Sequence, residues 1–121
     1  MVANRYFSTS TYTAWLGEED EGQMGALYCL LSMGIFEMKS DCSVNPYYDL
    51  SSPVFDQVVI NLDKNFYSGG KFTINVENNA AANDYIQSAV INGKKVKDFQ
   101  LLHKDVVKGG ELKIILGNKP K

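Results

Sequence analysis

Four acids in succession, Glu18-Glu19-Asp20-Glu21, stand between Gly17 and Gly22 and lead into an apolar run that starts at Gln23-Met24. Carboxylates so placed do one of two things. At a helix start they satisfy free backbone N–H groups and the positive end of the helix dipole. On that reading Asp20 is the N-cap, and Gln23, three residues on, completes a capping-box-like pair. The second possibility is acid–base chemistry. Glu18 and Asp20 are two apart, so in an extended loop they project to one side and Glu19 to the other. Two carboxylates converging at a helix mouth can hold and deprotonate a water molecule. The flanking glycines let backbone and substrate approach closely. The readings are compatible, since a capping carboxylate can also serve as a base.

The elements that must position this cluster fall into two halves that meet near residue 52. Gln23–Met33 reads as a helix in which Met24, Ala26, Leu27, Tyr28, Leu30, Leu31 and Met33 cover nearly the whole circumference. A helix apolar all round is expected to be buried on every side. Gly34 is the expected left-handed C-cap, after which Ile35-Phe36 turn back to the core. Residues 2–7 read as the frayed end of an earlier helix, and Ser8-Thr9-Ser10-Thr11 as a linker. After Pro53 the period becomes that of strands, over 58–62, 72–76, 85–91 and 112–116, with Ser68-Gly69-Gly70 and Gly109-Gly110 as turns. Asn92-Gly93 is a hairpin signal, with the return strand at 94–96. A short helical turn is expected over 103–107.

The fold class implied is α+β: an N-terminal buried helix or helices, then a small antiparallel β-sheet or sandwich, with the parts divided as 1–52 and 53–121. One small sheet can cover only one face of a helix, so either more helices or self-association is expected to surround it.

With 121 residues the chain has room for one ordinary domain, and 45% hydrophobic with 21% charged residues is a globular composition. Twelve basic against 14 acidic side chains give a net charge of −2, which argues against nucleic acid and anionic membranes as partners. The longest apolar run, 26–33, is too short to span a bilayer. The first residues lack the features of a signal peptide, which fits either cytoplasmic residence or a start inside a longer protein. Cys29 and Cys42 form no Cys-x-x-Cys or Cys/His cluster, so two free thiols and no zinc site are expected. His103, the single histidine, lies in a polar Leu-His-Lys-Asp turn and reads as a surface or capping residue. Lys94-Lys95-Val96-Lys97 reads as a solvated strand end.

The stretch Gly17-Glu18-Glu19-Asp20-Glu21-Gly22-Gln23-Met24-Gly25-Ala26-Leu27-Tyr28 resembles the signature near the C-terminal end of the catalytic domain in glycoside hydrolase family 92. That signature runs approximately Gly-Asp/Asn-Glu-Asp-x-Gly-Gln-Met/Thr-Ser-Ala-Trp-Tyr. Tyr48-Asp49-Leu50-Ser51-Ser52-Pro53-Val54-Phe55-Asp56 is similar to the family's Tyr-x-x-Gly-Ser-Pro-x-Phe-Asp segment. Phe72-Thr73-Ile74, Glu77-Asn78-Asn79, Tyr85-Ile86-Gln87-Ser88, Asn92-Gly93-Lys94 and Lys108-Gly109-Gly110-Glu111-Leu112 follow in order, so the resemblance covers nearly everything after Trp15. Glu18 stands where the family has Asp or Asn, Gly25 where it has Ser, and Leu27 where it has Trp.

The resemblance implies a calcium-dependent, inverting, exo-acting α-mannosidase with its site between an N-terminal β-sandwich and an (α/α)6 toroid. It implies Asp20 as the general base and Glu18 as the second carboxylate near the attacking water. The longer Glu18 side chain would move that water and so bear on linkage preference. The implied partners are a mannose-containing glycan and the missing N-terminal part of the enzyme, and the implied location is secreted or periplasmic. Residues 1–52 would then be the end of the toroid and 53–121 a β region, the chain being inactive alone. Inversion needs two carboxyls about 6.5–9.5 Å apart, one acid and one base. This chain carries at most the base half, Glu37, Asp41 and Asp49 being the nearest other acids downstream. Trp15, Tyr47 and Tyr48 have rings suited to stacking on a sugar face, and equally to ordinary packing. Two other readings stand beside this one: a non-catalytic module that binds carbohydrate through its β region, and a structural domain whose acids only cap a helix.

Overall fold

The run Gln23–Met33 forms helix α1 and ends where Gly34 takes the left-handed conformation, φ 82. In this computed structural model, residues 7–10, 12, 14, 20–38 and 43–121 are described. The Gly34 N–H caps the carbonyls of Leu30 and Leu31. Glycine is required here twice over. The positive φ disfavours other residues, and an added Cβ would overlap the Pro53 ring and lie 2.8 Å from the Ser51 carbonyl oxygen. The segment around Pro53 in fact finishes the helix: Val54 N–H donates to the Ser32 carbonyl at 3.0 Å and Ser51 N–H to the Gly34 carbonyl at 2.9 Å. The Ser32 carbonyl, an orphan acceptor at the helix end, is thereby paired with chain from the β half, and the carbonyl of the C-cap Gly34 with Ser51 just before it.

Beyond Gly34 the chain forms β1 (Ile35–Phe36), which pairs antiparallel with β2 (Tyr47–Leu50). Then come β3 (Gln57–Asn61), β4 (Lys71–Glu77), β5 (Tyr85–Ile91), β6 (Lys94–Lys95), β7 (Gln100–Leu102), the one-turn helix α2 (His103–Val106) and β8 (Gly110–Gly117). Two sheets result, a three-stranded one in the order β1-β2-β7 and a five-stranded one in the order β3-β4-β8-β5-β6. The α+β reading holds, and the strands expected from residue 58 onward are all present. One pairing departs from the antiparallel expectation: β4 and β8 run parallel, Phe72 opposite Gly110 through Glu77 opposite Ile115. A parallel pair needs a long crossover, and residues 78–109 supply it. The three-stranded sheet was not foreseen, because strands of two to four residues are too short to show a period of two. Its β2–β7 pairing brings chain after residue 53 back onto chain before it.

The core is a strip of alternating residues. Phe72 and Ile74 on β4, Leu112 and Ile114 on β8, each fully buried, are joined by Val76, Ala89 and Leu116 on the same face and by Ile35, Leu101 and Val106 from the elements above. The opposite face is polar: Gln57 donates to Asn75 and Asn75 to the Glu111 carboxylate, each at 2.7 Å, and Lys113 pairs with Glu77 at 3.3 Å. Apolar in and polar out at period two is the pattern of a sheet with one wet face.

Helix α1 corrects the expectation of burial on all sides. Ser32 alone is buried within it. Leu30 and Met33 lie against the core, and Phe7 packs on Tyr28 with ring centroids 5.0 Å apart. Met24, Leu27, Tyr28 and Leu31 are only half-buried, and Ala26 and Cys29 are exposed. The sheet covers one side, as a sheet must, and Ala26 and Cys29 stay exposed on the helix. A helix without a charged residue, exposed in part, is expected to drive association of this 121-residue chain. Light scattering should show dimers or larger species; a strict monomer with slow amide exchange along α1 would contradict this.

Candidate functional site

Helix α1 is entered through Gly22, its N-cap, in the left-handed region at φ 75 and ψ 9, and the cap residue itself offers no side chain to bond the first turn. Gln23 is therefore the first helical residue, not the third, and the first turn holds no acid. This corrects the capping expectation: Asp20 lies two residues before the cap position, where its carboxylate does not bond the helix N–H groups. Asp20 and Glu21 are instead exposed at the mouth of the helix. Glu18, with Glu19 and Trp15, lies outside the described residues, so the expected Glu18–Asp20 pair has no geometry here.

The other acids weighed as partners go elsewhere. Asp49, on β2, stands in register with Phe36 and Gln100, and Asp41 lies outside the described residues. Glu37, just past β1, lies close enough to Tyr48 to raise the phenol's proton affinity.

Tyr48 has a second neighbour that the sequence did not reveal. Its hydroxyl is 2.8 Å from His103 Nδ1, their ring centroids are 5.8 Å apart, and Tyr67 approaches the same imidazole edge-on at 6.4 Å. In the Nε2–H tautomer the phenol O–H donates to Nδ1. The His103 N–H also donates to the Pro46 carbonyl at 2.9 Å. The histidine is thus a partly buried joint between β2 and the start of α2, which corrects its reading as a surface residue without partner. The partners are 55 residues apart, and no local pattern in either segment announces the contact. Of the three aromatics weighed as sugar contacts, Tyr48 packs in this joint, Tyr47 is half-buried opposite Leu102, and Trp15 is outside the described residues.

Among the described residues no three His, Cys, Asp or Glu side chains gather as a metal site. Calcium needs six to eight oxygen ligands, so the described part of the chain does not fit that ion. Cys29 is a free, exposed thiol; Cys42 lies outside the described residues. No described helix is long and apolar enough to cross a membrane.

Two substitutions test this geometry. Asp20→Ala is expected to change stability by less than about 0.5 kcal/mol, as for an ordinary surface position; a loss near 1 kcal/mol on thermal unfolding, the worth of a lost N-cap, would restore the capping role. For Tyr48, burial first, then the Glu37 carboxylate, then Tyr67 hold the phenol above its ordinary pKa. The neutral phenol is the form favoured by folding. Its contribution is fully present below the ordinary phenol value of about 10 and is lost as pH rises through the raised folded value. Tyr48→Phe should therefore lower stability by roughly 0.5–1.5 kcal/mol at neutral pH, through the lost bond to His103, and flatten the decline above pH 10. An unaltered alkaline limb of the stability–pH curve would contradict the assignment.

The sequence model described as the glycosyl hydrolase family 92 catalytic domain matches residues 1–118. A comparison with curated proteins gives no match. Among solved structures, a family 92 α-mannosidase of Bacteroides thetaiotaomicron in complex with mannoimidazole superposes with a TM-score of 0.82 at 22% identity, over 99% of this chain and 15% of that one. A family 92 inverting mannosidase of Bacteroides thetaiotaomicron VPI-5482 does so with a TM-score of 0.78 at 29% identity, over 98% and 15%. A family 92 glycosyl hydrolase named ccman5 gives 0.80 at 23% identity, over 96% and 14%. The chain thus spans about 15% of the length of the solved proteins it matches. From the acidic loop through the last strand, then, motif order, fold and family model agree, and the chain belongs to glycosyl hydrolase family 92, within its catalytic domain.

Proposed function

We propose that this chain supplies the C-terminal part of an inverting exo-α-mannosidase, with the base half of the catalytic pair on the loop that opens α1. The observation that carries the reading is the family catalytic-domain match over residues 1–118, joined to a fold shared with a family 92 inverting mannosidase over 98% of this chain. The exposed position of Asp20 outside the cap supports it.

In the proposed reaction a water molecule gives its proton to the Asp20 carboxylate and attacks the anomeric carbon from the face opposite the glycosidic oxygen. A general acid elsewhere in the enzyme protonates that oxygen as the bond breaks, so the sugar leaves with inverted configuration. Glu18 assists by orienting the water. The acid must stand about 6.5–9.5 Å from the base to leave room for water. Calcium, implied by the resemblance, would be held by other parts of the enzyme. The substrate would be a terminal α-linked mannose of a glycan. The exposed side of α1 would meet the remainder of the catalytic domain.

The chain alone should therefore release no mannose from an aryl α-mannoside with calcium present; robust turnover, abolished in Asp20→Asn, would refute a divided pair. In a polypeptide that carries the rest of the family 92 domain, Asp20→Asn should lower turnover by roughly 10²–10⁴-fold, the contribution of a positioned base. Its thermal midpoint should stay near that of the parent, and Glu19→Gln should do much less. Near-normal turnover of Asp20→Asn removes Asp20 from the mechanism.

A further inference from the structure

Asn92-Gly93 is the single Asn-Gly pair in the sequence. It forms the two-residue turn from β5 to β6, closed by Ile91 opposite Lys94, with both residues left-handed at φ 46 and φ 80. That is the geometry for which Asn-Gly is favoured in tight hairpins, and both residues are exposed to solvent. The Asn92 carboxamide nevertheless does not lie free in water. Its Oδ1 accepts the Glu111 backbone N–H at 2.9 Å and its Nδ2 donates to the Gly109 carbonyl at 3.3 Å. Gly110, at φ 116, leaves the space for it, since a Cβ there would overlap the carboxamide. Two segments that look unrelated in the sequence, 92–94 and 108–112, are one contact, and it ties the hairpin turn to the first residues of β8.

An asparagine followed by glycine carries a latent reaction of its own. The Gly93 backbone nitrogen, unshielded by a side chain, can attack Asn92 Cγ. The N–Cγ bond forms, the Cγ–Nδ2 bond breaks, and ammonia leaves with the proton from the Gly93 amide. Water then opens the five-membered imide at either carbonyl, giving aspartate or isoaspartate. Water is the only co-reactant, and nothing is oxidised or reduced. The attack requires the carboxamide to leave its partners and turn its carbon toward Gly93.

We propose that Asn92 is a deamidation site held closed by its two bonds to the start of β8, and opened when that end of β8 detaches. The reaction is one-way for the fold. An aspartate at position 92 can still accept the Glu111 N–H but cannot donate to the Gly109 carbonyl, so two acceptors would face each other. Isoaspartate adds a main-chain carbon to a two-residue turn whose length sets the β5–β6 register. A hairpin that has opened and reacted therefore does not reclose as before. The modification accumulates with each local opening of this edge, whatever the chain's catalytic role.

Peptide mapping by mass spectrometry, on the 121-residue chain held folded or in denaturant at mildly alkaline pH, reads the reaction directly. Position 92 should convert at least about tenfold more slowly in the folded chain, since two ordinary hydrogen bonds each contribute a factor of several. Gly110→Ala, which displaces the carboxamide, should lose most of that protection while folded, and Gly93→Ala should slow conversion in both states. If Gly110→Ala fails to fold, the folded-to-denatured ratio of the parent chain decides alone. Equal rates at position 92 in the folded and denatured parent overturn the proposal.

Discussion

The parallel pairing of β4 with β8 is the constraint on which the other elements hang. It brings Phe72 and Ile74 beside Leu112 and Ile114, four side chains with no exposed surface. Burial of each is worth about 1.5–3 kcal/mol, which no other pair of elements in the described chain matches. Because the strands are parallel, the chain must cross over between them. On that path it lays down β5 and β6 on the far edge of β8, then delivers β7 to β2.

Helix α1 is attached at its C-terminal end and much less along its length. Gly34, Ser51 and Val54 form a backbone-bonded joint in which Val54, from the β half, reaches the Ser32 carbonyl of the helix. The Tyr48–His103 contact ties β2 of the neighbouring sheet to the start of α2. The helix therefore extends from a firm base, with Ala26 and Cys29 exposed along it and Asp20 exposed beyond its N-terminal end. The β region thus holds the helix by its C-terminal end, and Asp20 and Glu21 are exposed at the other.

The segments that carry the family resemblance divide accordingly. The one at 48–56 finishes α1, and the Asn79 amide bonds both the Val54 carbonyl and the Asp56 carboxylate, joining 77–79 to it. The segments at 92–94 and 108–112 close on each other around the Asn92 carboxamide. These are joints, made of positive-φ residues and side chains that bond backbone. In the segment at the start of α1 the described acids, Asp20 and Glu21, are exposed instead.

What the sequence by itself determined is what local physics can encode. The strands β3, β4, β5 and β8 were legible from alternation, the 92–93 turn from Asn-Gly, and the end of α1 from Gly34. The apolar circumference of α1 also stated correctly that one small sheet could not satisfy it. Tertiary structure alone decided what depends on distant partners. Strands of two to four residues such as β1, β2 and β7 have no readable period and form only because each finds the next. Whether β8 runs parallel or antiparallel to β4 is invisible in either strand, since both directions bury the same alternating face. The cap of α1 was misread because capping-box spacing was read from Asp20, whereas a left-handed Gly22 moved the helix start two residues on. His103 seemed alone because its partner is 55 residues away in sequence, and only the fold makes that separation a 2.8 Å contact.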